Sequence, residues 1–155
     1  MRNRLSLLLG GGMLLAVACH HGLETLSPVL PTERVYYDDG PAFRDSVRMV
    51  VEDSVTWKRV WRQATSTQPS PPPRPEVDFD SEILLVVGAG RMAPGDQIRV
   101  DSVGVRRGFF IVVVRLTTEC RPLAADVYPL EIVRARRTGK PVAFSERRER
   151  GANCQ

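Results

Sequence analysis

The apolar run at residues 83–87 constrains the fold more than any other stretch of the chain. It consists of isoleucine, leucine and valine without a polar interruption, which is typical of a strand that is buried on both faces. A Gly/Pro loop of residues 88–96 follows, and residues 97–103 then alternate between polar and apolar side chains. That alternation predicts a second strand. The sequence thus indicates a central strand, a loop and a further strand.

The second of these strands is predicted to form a hairpin over residues 97–116. Arg106, Arg107 and Gly108 make a tight turn, and the following residues 109–116 are the most apolar stretch after the leader. A short turn between two such strands favours an antiparallel pair. The apolar positions change phase between Val100 and Val103, which predicts a β-bulge near Asp101.

A strand and a helix are predicted before the central strand. Residues 45–52 alternate as a half-buried strand, and Asp53 or Ser54 can cap a helix over residues 55–64. Four apolar residues follow at positions i, i+3, i+4 and i+7 of that helix: Trp57, Val60, Trp61 and Ala64. The tryptophan pair could be a ligand platform, but its helical spacing favours a place in the core.

The remaining elements complete an α+β fold. A strand is predicted at residues 127–133, where Pro129 favours an edge or a bulge, and a short strand at residues 142–144. The fold class is therefore a largely antiparallel sheet of about five or six strands, open or curled like a barrel, with one packed amphipathic helix. Arginines of the C-terminal segment, interleaved with Glu131, Glu146 and Glu149, indicate a solvated face; an anionic-lipid or acidic-partner patch is the alternative.

The N-terminus is predicted to be a lipoprotein leader. Arg2 and Arg4 precede an apolar run that is too short and too rich in glycine to span a membrane. The LAVAC ending resembles the bacterial lipobox, which implies removal of residues 1–18 and acylation of Cys19. His20 at the next position favours the outer membrane. An ordinary signal peptide with an incidental cysteine is the alternative.

The rest of the chain is divided into a tether and one domain. Residues 19–41 contain several prolines and few apolar repeats, so they are predicted to be a lipid-anchored linker. Residues 42–155 suit a single domain. With Cys19 set aside, Cys120 and Cys154 remain as an even pair in an oxidising compartment, which favours a disulfide over two free thiols.

Composition and motifs argue against several function classes. Without Arg2 and Arg4 the net charge falls from +4 to +2, too little to indicate nucleic-acid binding. His20 and His21 are the only histidines, and both lie in the predicted tether, so the domain lacks the usual general base. The loop at residues 88–95 leads into a strand rather than a helix, unlike a nucleotide-binding loop.

We therefore predict no catalytic residue, no metal site, no cofactor and no small-molecule substrate. A metal would need three or four convergent ligands, and the two histidines alone do not supply them. Asp78, Asp80 and Glu82 could be paired carboxylates, but alternating acids at the start of a strand are more typical of a solvated face.

The order of several short motifs resembles the C-terminal domain of PrcB-type protease-complex subunits. The resemblance covers residues 47–133 and rests on Trp57 with Trp61, the Val-Asp-Phe step at residues 77–79, and Tyr128-Pro129. It implies an exported, often lipid-anchored protein that is not an enzyme and that stabilises or modulates a surface protease. The expected function is thus a non-catalytic envelope lipoprotein with two partners, a membrane and a protein, plausibly a surface or periplasmic protease.

The loop after the central strand is where we expect contact with the partner. Seven residues are assigned to this contact: Gly88, Gly90, Arg91, Met92, Pro94, Gly95 and Asp96. The family usually carries Pro-Thr-Gly-Gly-Tyr in this loop, whereas residues 92–96 here read Met-Ala-Pro-Gly-Asp. A tight connection without a binding role is one alternative. A protease inhibitor that plugs a cleft with the same loop is another.

Overall fold

The computed structural model describes residues 26–120, 124–152 and 154. Within them the chain forms eight strands and one helix. In chain order these are β1 Val29–Leu30, β2 Thr32–Asp38, β3 Ser46–Val51, α1 Ser54–Ala64, β4 Glu82–Ala89, β5 Gln97–Arg106, β6 Phe109–Thr118, β7 Leu130–Arg136 and β8 Val142–Arg150.

The strands are arranged in two sheets of four. Sheet A has the order β1-β5-β6-β8 and sheet B the order β2-β7-β4-β3. Strand pairs are antiparallel except β6 with β8, which run parallel. Helix α1 packs on sheet B, and sheet A packs on the other face of sheet B. The α+β class is therefore confirmed, but the prediction of one sheet with five or six strands is wrong, and the two sheets do not close into a barrel.

Strand β4 is the centre of the molecule, because each of its faces contributes to a different core. Leu84 and Val86 pack against α1 on one side of sheet B. Ile83, Leu85 and Val87 pack against sheet A on the other side. The run of five apolar residues is thus explained by burial on both faces, which confirms the prediction for this strand.

Helix α1 places its tryptophans in the core, as predicted. The Asp53 side chain accepts the Thr56 N–H at 2.8 Å and caps the helix. Trp57 and Trp61 are buried, with ring centroids 5.2 Å apart. Their indole N–H groups donate to carbonyl oxygens of the proline-rich segment, at Pro75 and Pro72. The proline-rich segment therefore satisfies the indole N–H groups of both buried tryptophans.

The β5–β6 hairpin confirms both the turn and the bulge. Arg107 and Gly108 have φ angles of 48° and 85°, and two positive values in sequence match a two-residue type I′ turn. The register shifts between Val100 and Ser102, which places the bulge at Asp101. The shift keeps apolar side chains facing sheet B on both sides of it.

The predicted linker of residues 19–41 is wrong over residues 29–38, which form β1 and β2. Strand β1 pairs with β5, and β2 pairs with β7. Both are edge strands, where prolines such as Pro28 and Pro31 remove no required ladder bond. Only Tyr36 of β2 is fully buried, so the segment lacks the alternation by which a strand is recognised. Residues 22–25 lie outside the described residues.

Strand β7 differs from the prediction in both bounds and position. It begins at Leu130, directly after Pro129, and lies between β2 and β4 rather than at an edge. Pro129 stands just outside the strand, where its carbonyl oxygen accepts the Ala89 N–H at 3.0 Å. The proline therefore marks the start of a central strand.

Strand β8 is longer than predicted and is closed by a disulfide. It forms the outer edge of sheet A, and its charged residues 146–150 are exposed, which hides the strand from periodicity analysis. Gly151 N–H donates to the Thr118 carbonyl oxygen at 2.8 Å. Cys120 and Cys154 are joined by a disulfide, with their Cα atoms 5.1 Å apart. The predicted disulfide is thus confirmed.

Candidate functional site

The loop of residues 88–96, here called loop 88–96, connects β4 of sheet B with β5 of sheet A. Gly88 is part of β4 and is buried; a Cβ there would lie 2.8 Å from the Val47 side chain. Gly90 is also buried, with a φ of +74° beside the backbone of Ser46. Packing and backbone conformation therefore explain both glycines, which are buried within the domain.

Asp96 holds the end of the loop through hydrogen bonds. It is 7% exposed. Its carboxylate accepts the backbone N–H of Ala93 at 3.2 Å and that of Glu119 at 2.8 Å, while its own N–H donates to the Ala93 carbonyl oxygen. Asp96 thus joins the loop to the end of β6, and its carboxylate has its hydrogen-bond partners within the domain.

The middle of the loop is fixed to the segment before β7. Met92 and Val127 exchange two backbone hydrogen bonds of 2.9 and 3.0 Å. Arg91 and Asp126 form an exposed ion pair at 3.7 Å. Loop 88–96 is therefore held by β3, β6 and the residues before β7, and it has little freedom to change its conformation.

Residues 91–95 of the loop remain presented to solvent. Arg91 and Gly95 are exposed, and Met92, Ala93 and Pro94 are partly exposed. Arg91, Met92 and Ala93, together with Ala89 and Asp96, border a cleft of about 500 Å³ whose other walls come from distant parts of the chain. Those walls include Leu116, Ala125, Asp126 and Arg148. The structure thus brings three of the seven predicted contact residues, Arg91, Met92 and Asp96, to this cleft, whereas Pro94 and Gly95 face solvent outside it.

The other cleft residues could not be found from the sequence. Arg148 reaches the cleft because β8 extends along sheet A beyond its apolar start, and that extension has no periodic signal. Asp126 reaches it through the bridge between Met92 and Val127. The opposite charges of Arg91 and Asp126 are compatible with an ion pair. The two residues lie far apart in the sequence, so the sequence does not indicate that they are in contact.

Glu131 forms a buried ionic cluster between the two sheets. It is 2% exposed, and its carboxylate accepts bonds from Arg34 Nε at 2.7 Å, Arg99 Nη1 at 3.4 Å and the Val100 N–H at 2.6 Å. The assignment of Glu131 to a solvated face is therefore wrong. Both carboxylate oxygens have partners, so the cluster is explained as a structural one.

Tyr37 completes this cluster from β2. The Arg99 guanidinium lies 4.2 Å from the centre of the Tyr37 ring, a cation–π contact. Burial and a hydrogen bond to Asp39 raise the pKa of Tyr37 well above its usual range. The hydroxyl therefore stays protonated at physiological pH and serves as a donor to Asp39.

The acids at the start of β4 organise a turn. The Asp78 carboxylate accepts the Ser81 hydroxyl at 2.7 Å and the Asp80 N–H at 3.1 Å, and these bonds lower its pKa. Asp78 and Asp80 thus belong to a turn just before the central strand, and Glu82 is the first residue of β4, where its carboxylate accepts the Asp78 N–H at 3.3 Å. Among the described residues, no group of three His, Cys, Asp or Glu side chains could hold a metal ion.

Three sequence predictions concern residues outside the described ranges. They are the leader of residues 1–18, the lipidation of Cys19, and the place of His20 and His21 in the tether. In the part of the chain that the structure describes, no helix is both long enough and apolar enough to cross a membrane.

Comparisons of the chain with protein-family models, with curated proteins and with solved structures gave no match. The resemblance to PrcB-type subunits therefore stays a prediction from the motifs in the sequence. The structure supplies the geometry on which a functional proposal can be built, and loop 88–96 with its cleft is the candidate site.

Proposed function

We propose that this chain is a non-catalytic lipoprotein of the bacterial cell envelope whose domain binds a partner protein and stabilises or modulates it. A surface or periplasmic protease is the partner class that the resemblance implies. The observation that carries the proposal is the rigid presentation of loop 88–96. Its buried residues fix the backbone, and its accessible residues Arg91, Met92 and Ala93 border a cleft.

A loop held in one conformation suits protein recognition. Ordering a flexible loop on binding costs conformational entropy, and a preorganised loop avoids that cost. The bonds of Asp96 and the bridge from Met92 to Val127 already fix this loop before any partner arrives. Residues 91–95 are therefore presented by a rigid scaffold, which is where binding residues concentrate in proteins.

The charges of the cleft indicate the chemistry of the partner. Arg91 and Arg148 both line it, with Asp126 as the acidic neighbour of Arg91. The Arg91–Asp126 pair is 3.7 Å long, and both side chains are more than half exposed, so the pair contributes little to stability. A carboxylate on the partner can replace Asp126 at little cost, so we expect an acidic contact opposite Arg91.

The disulfide supports an exported protein. Disulfides persist in oxidising compartments such as the periplasm or the cell surface and are rare in the cytosol. The bond between Cys120 and Cys154 therefore fits the leader of residues 1–18 and the acylation of Cys19. Leader and acylation site remain predictions from the sequence.

Mild crosslinking and affinity purification of the full chain from its native envelope tests the proposal. The Arg91→Glu variant reverses an exposed charge of the cleft; it removes the exposed Arg91–Asp126 pair and leaves the backbone bonds of Met92 and the bonds of Asp96 in place. We expect one dominant protein to be recovered with the wild type and its yield to fall about tenfold or more in the variant, as for a hot-spot arginine.

The matched control is Arg59→Glu, because Arg59 is an exposed arginine on α1, away from the cleft. We expect this variant to recover the partner at the wild-type level. Recovery of no stoichiometric protein, or equal recovery with both variants, would contradict the proposal. Replacement of the whole loop is a poor test, since it also removes Asp96 and the Met92 bridge.

A protease inhibitor is the second candidate, because inhibitors also present rigid loops. Its accessible segment would be residues 91–95, since Gly88, Gly90 and Asp96 are buried. The full chain should then inhibit a serine or cysteine protease at micromolar concentration, and Arg91→Glu should weaken that inhibition. An absence of inhibition across a panel of such proteases would rule this candidate out.

A further inference from the structure

The described chain enters the fold at one corner of sheet A. Ser27 N–H donates to the Val105 carbonyl oxygen at 3.3 Å, and Val105 N–H donates to that of Pro28 at 3.4 Å. Leu26 packs over Gly104, where an added Cβ would lie 2.8 Å from the Leu26 Cβ. The entry point is therefore beside the end of β5, next to the β5–β6 turn.

The tether to this corner is short. Because β1 and β2 belong to the fold, only seven residue steps separate Cys19 from Leu26. A fully extended chain spans at most about 3.5 Å per residue, so these steps reach no farther than about 25 Å. Acyl chains on Cys19 would hold this corner of sheet A close to the bilayer.

The face of sheet A that points away from sheet B carries apolar side chains near the same corner. We call this surface the outer face and define it by six residues: Leu26, Val29, Phe109, Ile111, Val113 and Ala143. All but Phe109 line a groove of about 570 Å³, and Phe109 falls on the same side of β6 as Ile111 by alternation. Val29 is 63% exposed and Phe109 47% exposed.

The rim of the outer face is basic near the β5–β6 turn. Arg106 lines the groove, Arg107 is in the turn itself, and Lys140 precedes Pro141, whose carbonyl oxygen accepts the Phe110 N–H. Residues 103–111 and 138–144, at the β5–β6 turn and the start of β8, contain no aspartate or glutamate. The corner thus combines exposed apolar side chains with positive charge.

The other end of the outer face has a different character. Asp101 pairs with Arg115 at 2.9 Å and with Arg147 at 4.0 Å, and Arg115 also lies 3.8 Å from Glu149. The acids Glu52, Asp53 and Glu82 belong to α1 and sheet B, on the far side of the molecule from the outer face. On the outer face, apolar and basic groups therefore coincide at the corner where the chain enters.

We propose that the outer face and its basic rim rest on the anionic bilayer that holds the acyl chains of Cys19. The inference rests on the lipid anchor of the proposed function and adds a second contact with the same membrane. Apolar side chains enter the interface while basic side chains meet acidic headgroups, a combination that is typical of membrane-surface binding. The short tether favours the bilayer over a second copy or a protein.

The orientation that follows directs loop 88–96 away from the lipid. Strand β5 begins at this loop and ends at the β5–β6 turn, ten residues later. At about 3.3 Å per residue its two ends are about 30 Å apart. With the apolar corner in the interface and the ion pairs of the other end in water, the cleft beside Arg91 is presented to a partner above the membrane.

Fluorescence quenching by brominated lipids tests the contact. The lipidated full chain is reconstituted into vesicles of phosphatidylcholine and phosphatidylglycerol, with or without bromine on the acyl chains, as a Phe109→Trp or a Val55→Trp variant. Val55 is 78% exposed on α1, on the side of the molecule opposite the outer face. Trp57 and Trp61 give the same background in both variants.

We expect the Phe109→Trp variant to lose at least about twice as much emission to brominated lipid as the Val55→Trp variant, because only position 109 lies in the interface. A Lys140→Glu change should reduce the quenching at position 109, whereas the matched Lys58→Glu change on α1 should not. Flotation of the vesicles, measured on the same samples, reports the lipid anchor separately.

The outcomes distinguish the lipid anchor from the membrane contact of the outer face. Flotation with equal, low quenching at both positions would overturn the membrane contact and leave the anchor intact. An absence of flotation would overturn the anchor and the contact together. Emission of the Phe109→Trp variant that is unquenched but shifts to the blue with protein density would assign the outer face to a second copy, against the proposal.

Discussion

The buried ionic cluster around Glu131 is the residue-scale feature that most affects stability. Removal of one partner from a buried ionic pair leaves the remaining charges without compensation. Glu131→Ala would leave Arg99 and the Val100 N–H without their carboxylate partner at the contact between the sheets. We expect it to lower the free energy of unfolding by about 3 kcal/mol, measured by urea denaturation.

Arg34→Ala is the control for this prediction, because the Arg34 side chain is 52% exposed and its charge is screened by water. It should cost less than about 1 kcal/mol. Equal losses for both variants would contradict the assignment of Glu131 as the centre of the cluster.

The Asp53 cap should make the helix sensitive to acid. Hydrogen bonds from the Thr56 N–H lower the pKa of Asp53 below its ordinary value of 3.8. A lowered pKa in the folded state means that the contribution to stability is present above pH 3.8 and is lost as the pH falls through the folded value. The urea midpoint of Asp53→Ala should therefore lie below that of the wild type at pH 7 and approach it near pH 3.

The Asp53→Asn variant keeps the cap without a titrating group. The difference in midpoint between Asp53→Asn and Asp53→Ala should not change between pH 7 and pH 3. A difference between wild type and Asp53→Ala that stays constant over this range would show that the cap does not act through the carboxylate.

Residue-scale features could be predicted where their cause is local. The Asp53 cap and the bulge at Asp101 depend on neighbouring residues, and both were found. Glu131 was misassigned because its partner Arg34 lies 97 residues away in the chain and Arg99 lies 32 residues away. Nothing near Glu131 in the sequence distinguishes it from the exposed acids that follow it.

At the scale of elements, the disulfide ties the end of β8 to the end of β6. The two cysteines are 34 residues apart. Loss of a cross-link over such a loop increases the entropy of the unfolded chain by an amount equivalent to about 3–4 kcal/mol. A variant with both Cys120→Ser and Cys154→Ser should lose roughly that stability in urea denaturation.

Reduction of the wild type provides the control for this prediction. Its stability in a thiol reductant should match that of the double variant, and the reductant should have no effect on the double variant. An undiminished midpoint in the double variant would show that the bond between Cys120 and Cys154 does not stabilise the fold.

Elements with a periodic or continuous apolar pattern could be predicted, among them the edge strand β3, whereas edge strands without such a pattern could not. The strands β4, β5 and β6 and the helix carry periodic or continuous apolar patterns, because each packs against a core. Strands β1, β2 and most of β8 lie at edges, where side chains on both faces can be polar. Pro129 misled the assignment of β7, because it stands one residue before a central strand.

At the scale of the whole molecule, the outer face and loop 88–96 lie at opposite ends of β5. The outer face of sheet A lies beside the entry of the chain, and loop 88–96 lies at the other end of β5. The location of the loop was predictable from its glycines and proline. Which of its residues are buried and which face solvent could not be predicted. The burial of Gly88, Gly90 and Asp96 depends on contacts with β3, β7 and the end of β6.

Native mass spectrometry of the full chain, extracted from its envelope in mild detergent, tests directly whether the protein is acylated and binds a partner protein. We expect a chain that begins at Cys19, carries acyl groups and is bound to one partner protein in fixed stoichiometry. The partner should be lost in the Arg91→Glu variant. An unacylated chain, or an acylated chain without any partner, would contradict this expectation.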